Sequence, residues 1–236
     1  MSRSILLVIV VLAAITGAVA YPSDGPALKV TTAGLVLLGI GAVWATKFLV
    51  RAGLFTSVEV SEREFPGFRL AYKTHTSQYK ECGQHFHAAC ELAKGKDCDN
   101  YSTVGVYFDN PEAVEVGKTR YAVGISIPKD SSSLEEAFKA KGYQFVDLPR
   151  TPAIYTTFPF TSMLSIFIAI MRVYPKMGEY EKKTGKCAYP YMEVCKMGVP
   201  KTEYYGMLDN HKTYMMGLTP VGEYAKANPP ASKKTA

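Results

Sequence analysis

An apolar stretch near the N-terminus, from Val30 to Val50, places the strongest constraint on how this chain can fold. About 20 such residues cross the hydrocarbon core of a bilayer as a helix. The one strong charge, Lys47, lies near the end of the stretch, where its long side chain can reach the lipid headgroups. A core helix of a soluble domain is a poorer interpretation, because the stretch has no polar face that could meet water. The pattern therefore predicts a transmembrane helix over residues 30–50.

The residues before this stretch resemble a secretory signal peptide. Arg3 gives a positively charged start, Ile5 to Ile15 give an apolar middle, and Ala18-Val19-Ala20 gives a cleavage site. Residues 1–20 are therefore predicted to be a signal peptide, with a short first membrane segment as the alternative. Residues 21–29 are predicted to form a turn-rich linker.

Either arrangement leaves the remainder of the chain in the cytosol. Lys47 and Arg51 at the exit side of the stretch agree with the positive-inside rule. Residues 218–236 are predicted to form a short, basic, disordered tail. Within it, Lys233 and Lys234 resemble the dilysine signal that returns membrane proteins to the endoplasmic reticulum, although a solubilising tail is the alternative. We therefore expect an endoplasmic reticulum membrane protein whose domain faces the cytosol.

Charge and cysteine content exclude some classes of function. The net charge of +6 is mild, and the positive residues are scattered. A nucleic-acid-binding surface usually shows a clustered basic stripe, so no direct binding of nucleic acid is expected. The five cysteines form an odd number and no CxxC pair, which favours a reducing compartment over a disulfide framework.

From Phe68 onward the hydrophobic pattern predicts a mixture of strands and helices. Predicted strands cover 68–75, 103–109, 120–127, 143–148, 153–158, 189–195 and 204–217, and predicted helices cover 78–94, 131–142 and 162–183. The order strand–helix–strand–strand occurs twice, which indicates an internal duplication. The predicted fold is α+β, with one curved antiparallel sheet and helices on one face.

Met163 to Met171, in the last predicted helix, could form a second membrane span together with Ile154 to Phe160. Several residues within this stretch argue against a span, namely Thr156, Thr157, Pro159, Thr161 and Ser162. A helix buried behind the sheet is therefore the favoured interpretation.

Several short motifs of this chain are specific when taken together. They are Ser57-Val58-Glu59-Val60, Val106-Tyr107-Phe108-Asp109-Asn110-Pro111, Ala122-Val123-Gly124, Phe158-Pro159-Phe160-Thr161-Ser162-Met163-Leu164-Ser165-Ile166 and Cys187-Ala188-Tyr189-Pro190. These motifs resemble the testis-expressed protein 264 family. The resemblance runs from about Phe55 to Gly217. It implies a domain similar to the bacterial gyrase inhibitor, a GyrI-like domain, over residues 55–217.

The resemblance also implies a function. Members of this family are single-pass proteins of the endoplasmic reticulum and nuclear envelope. They act as receptors for autophagy of the reticulum (reticulophagy) and as adaptors for the valosin-containing protein segregase. The chain departs from the family in its short tail, which lacks the aromatic–x–x–aliphatic motif that docks by strand addition into autophagy modifiers. Tyr205-Gly206-Met207-Leu208 fits that spacing but lies in a predicted strand.

The predicted function is therefore that of a membrane-anchored adaptor in reticulophagy or protein quality control. The alternative is a membrane-tethered GyrI-like domain that binds or hydrolyses a small molecule.

Strand alternation predicts two unlike sheet faces. One face is expected to pack on the helices and carries Val104, Val106, Phe108, Val123, Ile125, Met192 and Val194. The other face is expected to form a groove and carries Gly105, Tyr107, Gly124, Ser126, Tyr189, Tyr191 and Glu193. Aromatic rings around one carboxylate suit a cationic or amphipathic ligand, so the predicted ligand-binding residues are Tyr107, Tyr189, Tyr191 and Glu193. The GyrI-like family has a functional glutamate in the matching strand, although Glu193 facing water or paired with a lysine is the alternative.

Binding is expected rather than catalysis. Some GyrI-like proteins are hydrolases that use glutamate and tyrosine, and Glu193 with Tyr107 could imitate that pair as general base and partner. However, the chain has no nucleophile elbow, P-loop or dinucleotide fingerprint, and no cofactor is expected.

Four residues with metal-ligand chemistry, Cys82, His85, His87 and Cys90, lie close together in the sequence. On one helix the two histidines would point about 160° apart, because each residue turns the helix by about 100°. The four side chains therefore cannot converge on one ion, and no metal site is predicted.

Overall fold

The computed structural model describes residues 26–95, 101–128 and 131–222. The helices are α1 (Pro26–Arg51), α2 (Cys82–Ala93), α3 (Ser132–Ala140), α4 (Met163–Thr184) and α5 (His211–Tyr214). A 3₁₀ turn at Tyr79–Glu81 precedes α2. The strands are β1 (Ser61–Phe65), β2 (Phe68–Thr76), β3 (Ser102–Tyr107), β4 (Arg120–Ile127), β5 (Gln144–Leu148), β6 (Thr151–Pro159), β7 (Tyr191–Lys196) and β8 (Lys201–Met207). The predicted α+β class is confirmed.

The described strands form one eight-stranded sheet in the order β1-β6-β8-β7-β3-β4-β2-β5. All neighbouring strands pair antiparallel. The order β3-β4-β2 on one side of the centre matches β7-β8-β6 on the other. The two predicted units, β2-α2-β3-β4 and β6-α4-β7-β8, therefore meet at the central pair β3 and β7, as a pseudo-twofold axis requires.

The predicted bounds of α4 are close to those observed. Ser162 is the N-cap residue, and Gly185 ends the helix with a φ of 69°, a left-handed conformation that glycine adopts without a steric penalty. Along the helix, Ser165, Ile168 and Ala169 are buried. The prediction of a buried helix is correct for this face of α4 only, because several apolar side chains on the other face are exposed.

Two strand predictions are wrong. Strand β1 was not predicted, because most of its side chains are exposed and its sequence lacks apolar alternation. The strand predicted over 204–217 ends at Met207, and α5 follows it. Asn210 adopts a φ of 54°, which interrupts the extended chain before α5.

Helix α1 contains the predicted span and begins at Pro26, within the predicted linker. Among the residues that the structure describes, no helix is both long enough and apolar enough to cross a bilayer. The prediction of a transmembrane helix over residues 30–50 is therefore not confirmed, although these residues are helical. The predicted signal peptide over residues 1–20 and the lysine pair Lys233 and Lys234 lie outside the described residues.

The register of β4 corrects the predicted faces of the sheet. Residues that pair directly across neighbouring strands share a face. Gly105 pairs with Val123 and with Glu193, whereas Val104 pairs with Gly124. The predicted assignment is therefore wrong by one residue for β4, at Val123, Gly124, Ile125 and Ser126.

Helices α2, α3 and α4 cover the face that carries Glu193, contrary to the prediction. Ile125 packs with Ala89 of α2, and Tyr204, which pairs with Glu193, packs in a cluster with Val173 of α4. The opposite face has its own core cluster, which includes Phe65, Val104, Val106, Met192, Val194 and Tyr214. Because both faces are buried, hydrophobicity alone does not identify the face that the helices cover.

Gly124 allows β2 and β4 to approach closely. A Cβ atom at this position would lie 1.8 Å from the carbonyl oxygen of Ala71 in β2. Any larger residue would therefore force the two strands apart. Glycine is therefore needed at position 124 for the close packing of β2 and β4. It does not leave room for a ligand.

Candidate functional site

Glu193 lies in the middle of β7, beside the centre of the sheet, and its side chain is held by two tyrosines. Its Oε1 accepts a hydrogen bond of 2.6 Å from the hydroxyl of Tyr174 in α4. Its Oε2 accepts one of 2.9 Å from the hydroxyl of Tyr107 in β3. Both oxygens of the carboxylate are therefore fixed by neutral donors from two other elements.

Aromatic and small apolar groups surround this carboxylate. The ring of Phe86 in α2 lies over Gly105, 2.8 Å from where a Cβ would be. The ring of Tyr79 contacts that of Tyr107 edge-on, with centroids 5.0 Å apart. Glycine at position 105 does leave room beside Glu193, as its small size suggested, but Phe86 fills that room.

Burial controls the protonation of the site. It raises the pKa of Glu193 above the ordinary 4.5, and the hydrogen bonds from Tyr174 and Tyr107 oppose this effect. Burial, followed by the nearby negative charge of Glu193, raises the pKa of both tyrosines well above 10.0. The hydroxyls therefore remain protonated and act as donors at neutral pH.

Within the described residues, Glu193 takes part in no ion pair with lysine, arginine or histidine. The alternative prediction, in which Glu193 pairs with a lysine, is therefore not confirmed within the part of the chain that the structure describes. Its partial burial also argues against a freely solvated carboxylate.

Glu203 provides an internal comparison on the other sheet face. It pairs with Val194 across β7 and β8, and it accepts hydrogen bonds from Tyr155 at 3.3 Å and Tyr205 at 3.1 Å. Unlike Glu193, Glu203 has a cation within reach, because the ammonium of Lys201 lies 3.9 Å from its Oε1. Two tyrosine donors thus occur at both sites, whereas only Glu193 lacks a positive partner within 4.0 Å in the described chain.

The structure separates the four predicted ligand-binding residues. Tyr107 contacts Glu193 directly. Tyr191 shares its face, but its hydroxyl donates to Oε2 of Glu181 at 2.6 Å. Tyr189 is fully buried in the cluster of the opposite face and stacks on His211, with ring centroids 4.0 Å apart.

The predicted position of Tyr189, on the same sheet face as Glu193, is therefore wrong. The predicted strand began at residue 189, whereas β7 begins at Tyr191, so the alternation of side chains does not apply to Tyr189. Three neighbours of the carboxylate were not predicted from the sequence, namely Cys82, Phe86 and Tyr174. These residues lie on the 82–93 and 163–184 helices, and no local pattern shows how a helix docks on a sheet.

The four candidate metal ligands are dispersed. His85 stacks on His75 of β2, with ring centroids 3.6 Å apart, and His87 is exposed. Burial raises the pKa of Cys82 and Cys90, so both thiols are expected to be protonated at neutral pH. Among the described residues, no group of three or more histidine, cysteine, aspartate or glutamate side chains is arranged to hold a metal ion.

Curated relatives support the predicted resemblance. The chain is 34% identical to human testis-expressed protein 264 over 168 residues, which cover 68% of this chain and 51% of the relative. It is 32% identical to the mouse homolog of that protein over 174 residues, covering 68% of this chain and 55% of the relative. The predicted resemblance to this family is confirmed, and the chain spans about half the length of these relatives.

Two solved structures match this chain at a lower sequence identity than these relatives do. The EcmrR C-terminal domain matches with a TM-score of 0.45 and 9% identity, covering 64% of this chain and 98% of that chain. SAV2435 bound to tetraphenylphosphonium matches with a TM-score of 0.42 and 10% identity, covering 68% of this chain and 99% of that chain.

A family model, described as the GyrI-like small molecule binding domain, matches residues 58–193. The matched region begins before β1 and ends at Glu193 in β7, so it includes the first half of the duplication, the second half as far as β7, and the residues that hold Glu193. This chain therefore belongs to the GyrI-like family of small-molecule-binding domains.

Proposed function

We propose that the domain binds a cationic aromatic or amphipathic small molecule and that Glu193 provides the counter-charge. The observation that carries this proposal is a partly buried carboxylate, oriented by two tyrosine hydroxyls, with no cationic partner among the described residues. Tyrosine and phenylalanine rings beside it supply the faces and edges that attract flat cations.

Electrostatics favours a positive ligand at this position. A carboxylate that is removed from water and left without a cation is energetically unfavourable, which is why burial raises the pKa of Glu193. At an effective dielectric constant of about 20, a cation about 4 Å away contributes about 4 kcal/mol of attraction. The tyrosines already hold the carboxylate, so little ordering of this group is required on binding.

Phe86 limits access to the site. Its ring occupies the space over Gly105, the residue that pairs with Glu193 across β3 and β7. A ligand that contacts the carboxylate therefore requires this side chain to move. Because Phe86 extends from one helix, a change of rotamer can open the space without moving the sheet.

Two probes of matched shape and opposite charge test the proposal. Full-length protein would be titrated by equilibrium dialysis with tetraphenylphosphonium, a cation, and with tetraphenylborate, an anion, and each would be corrected for partitioning without protein. We expect the cation to bind at least about tenfold more tightly, a difference of about 1.4 kcal/mol or more. Equal binding of the two probes, or tighter binding of the anion, would contradict the proposal.

A second proposal concerns where the domain is held. Helix α1 exposes large apolar side chains to solvent, among them Leu37, Trp44 and Phe48. Exposure of this much apolar surface is unusual for a soluble domain and favours a lipid or protein environment. We propose that α1 attaches the domain to the endoplasmic reticulum membrane, with Lys233 and Lys234 as the retrieval signal and the domain in the cytosol.

An adaptor role in reticulophagy or with the valosin-containing protein segregase rests on the resemblance to testis-expressed protein 264. Tyr205-Gly206-Met207 lies in β8, which is paired on both sides, so this motif is not free to dock by strand addition. If the proposal holds, removing the protein lowers delivery of reticulum fragments to lysosomes. Unchanged delivery in a flux assay would contradict it.

A further inference from the structure

Helix α4 changes character along its length. From Met163 to Met171 it has no charged residue, whereas charged residues recur from Arg172 onward. In the first half, Ser165, Ile168 and Ala169 are buried towards the domain. Large apolar side chains in the same half are exposed to solvent, namely Met163 (67%), Phe167 (58%), Ile170 (51%) and Met171 (68%).

Spacing places these exposed residues together on the helix. Positions 163, 167, 170 and 171 follow the three- and four-residue steps that bring side chains to one side of a helix. Single exposed apolar residues are ordinary, but a group of this size marks an interaction surface. Phe55 and Phe160 are also exposed, and with these four residues they form what we call the α4 apolar surface.

Hydrogen bonds fix the C-terminal end of α1 to α4. The hydroxyl of Thr161, just before α4, donates to the carbonyl of Arg51 at 3.1 Å. Nη1 of Arg172 donates to the carbonyls of Gly53 at 3.0 Å and Leu54 at 2.5 Å. The α4 apolar surface therefore lies beside the point where the apolar helix α1 enters the domain.

Basic residues predominate near this surface. Residues 26–58 and 160–178 contain no aspartate or glutamate. The charged residues in these two ranges are Lys47, Arg51, Arg172, Lys176, which pairs with Glu179 at 2.6 Å, and Lys29 at the far end of α1. Apolar side chains with basic residues around them match the boundary between anionic headgroups and acyl chains.

We propose that the α4 apolar surface docks on a bilayer that contains anionic lipid, with the first half of α4 at the headgroup boundary. This inference rests on the proposed attachment of α1 to a membrane and adds a second contact, made by the folded domain itself. A protein partner or a second copy is less well matched, because the rim of a protein interface is usually polar and carries both signs of charge.

Tryptophan fluorescence can test this contact, because Trp44 is the only tryptophan in the chain. Full-length protein would be reconstituted in vesicles of phosphatidylcholine and phosphatidylserine, with or without brominated acyl chains that quench nearby indoles. One variant combines Trp44→Phe with Phe167→Trp. The matched control combines Trp44→Phe with Val116→Trp, a position that is 80% exposed in the loop between β3 and β4.

We expect brominated lipid to lower the fluorescence of the tryptophan at position 167 at least twofold and to leave that at position 116 nearly unchanged. Wild-type Trp44 reports on attachment through α1 in the same vesicles. Quenching of Trp44 without quenching at position 167 would overturn the docking proposal and leave the attachment intact. Quenching at neither position would overturn both.

A blue-shifted but unquenched tryptophan at position 167 would indicate that protein covers the surface, which would also overturn the lipid proposal. The experiment contains no cationic ligand. Its outcome is therefore independent of the proposed role of Glu193.

Discussion

Asparagine in place of Asp109 is expected to lower the free energy of unfolding by about 3–5 kcal/mol, the cost typical of breaking a buried ion pair. The Asp109 side chain has no solvent exposure, and its Oδ1 lies 2.6 Å from Nη2 of Arg120. Its Oδ2 accepts from Nε and the backbone N–H of Arg120 at 2.9 and 2.8 Å. Removing the charge leaves the guanidinium largely buried and without its negative partner.

The Asp109→Asn substitution should also disturb the Glu193 site. The hydroxyl of Tyr79 donates to the backbone carbonyl of Asp109 at 2.6 Å, and its ring contacts Tyr107, a partner of Glu193. Urea unfolding would measure the loss of stability.

Asp147→Asn is the matched control, because Asp147 is 76% exposed and bonds Arg69 at the surface. Such pairs contribute about 1 kcal/mol or less. A similar loss in both variants would contradict the assignment of Asp109 and Arg120 as the stabilising pair.

The duplication was predictable from the sequence because strands and helices differ in period. Alternation identified β3 and β4 closely, and the change to a longer period marked α4. The repeated order of elements then implied two related halves. These predictions need only local sequence information, and they agree with the structure.

The faces of the sheet were not predictable in the same way. Val104 and Ile125 lie on opposite faces, yet both are fully buried. Alternation tells which residues of one strand share a face, but the phase between neighbouring strands depends on their register. That register is set by pairing across residues distant in sequence, including the close approach of Gly124 to Ala71.

Two residues of the Glu193 site, Tyr107 and Glu193 itself, were predicted from the sequence. Tyr107 and Glu193 lie on strands that pair at the sheet centre, and the family resemblance identified the glutamate. Tyr174 and Phe86 come from helices, and their positions depend on packing between elements. The prediction that the domain binds rather than catalyses stays a prediction.

Glutamine in place of Glu193 is expected to weaken binding of tetraphenylphosphonium by about tenfold to a hundredfold, or about 1.4–2.8 kcal/mol. Glutamine keeps the shape of the side chain and still accepts a hydrogen bond through its carbonyl. It removes the negative charge, and its amide group places a donor opposite one tyrosine hydroxyl. The loss should therefore reflect the attraction between the ligand and the carboxylate.

Binding to the wild-type protein should also weaken in acid. Burial raises the pKa of Glu193 above 4.5, so the free protein takes up this proton at a higher pH than an exposed glutamate. A bound cation favours the charged carboxylate and lowers its pKa. Affinity is therefore complete above the raised pKa and declines as the pH falls through it.

The most direct test of the site is the affinity of tetraphenylphosphonium for Glu193→Gln and Glu203→Gln, measured side by side at neutral pH. Both glutamates accept from two tyrosines, but they lie on opposite faces of the sheet. We expect the first variant to lose at least tenfold in affinity and the second to bind like the wild type. Equal affinity of the two variants would contradict the assignment of Glu193 as the counter-charge for a cationic ligand.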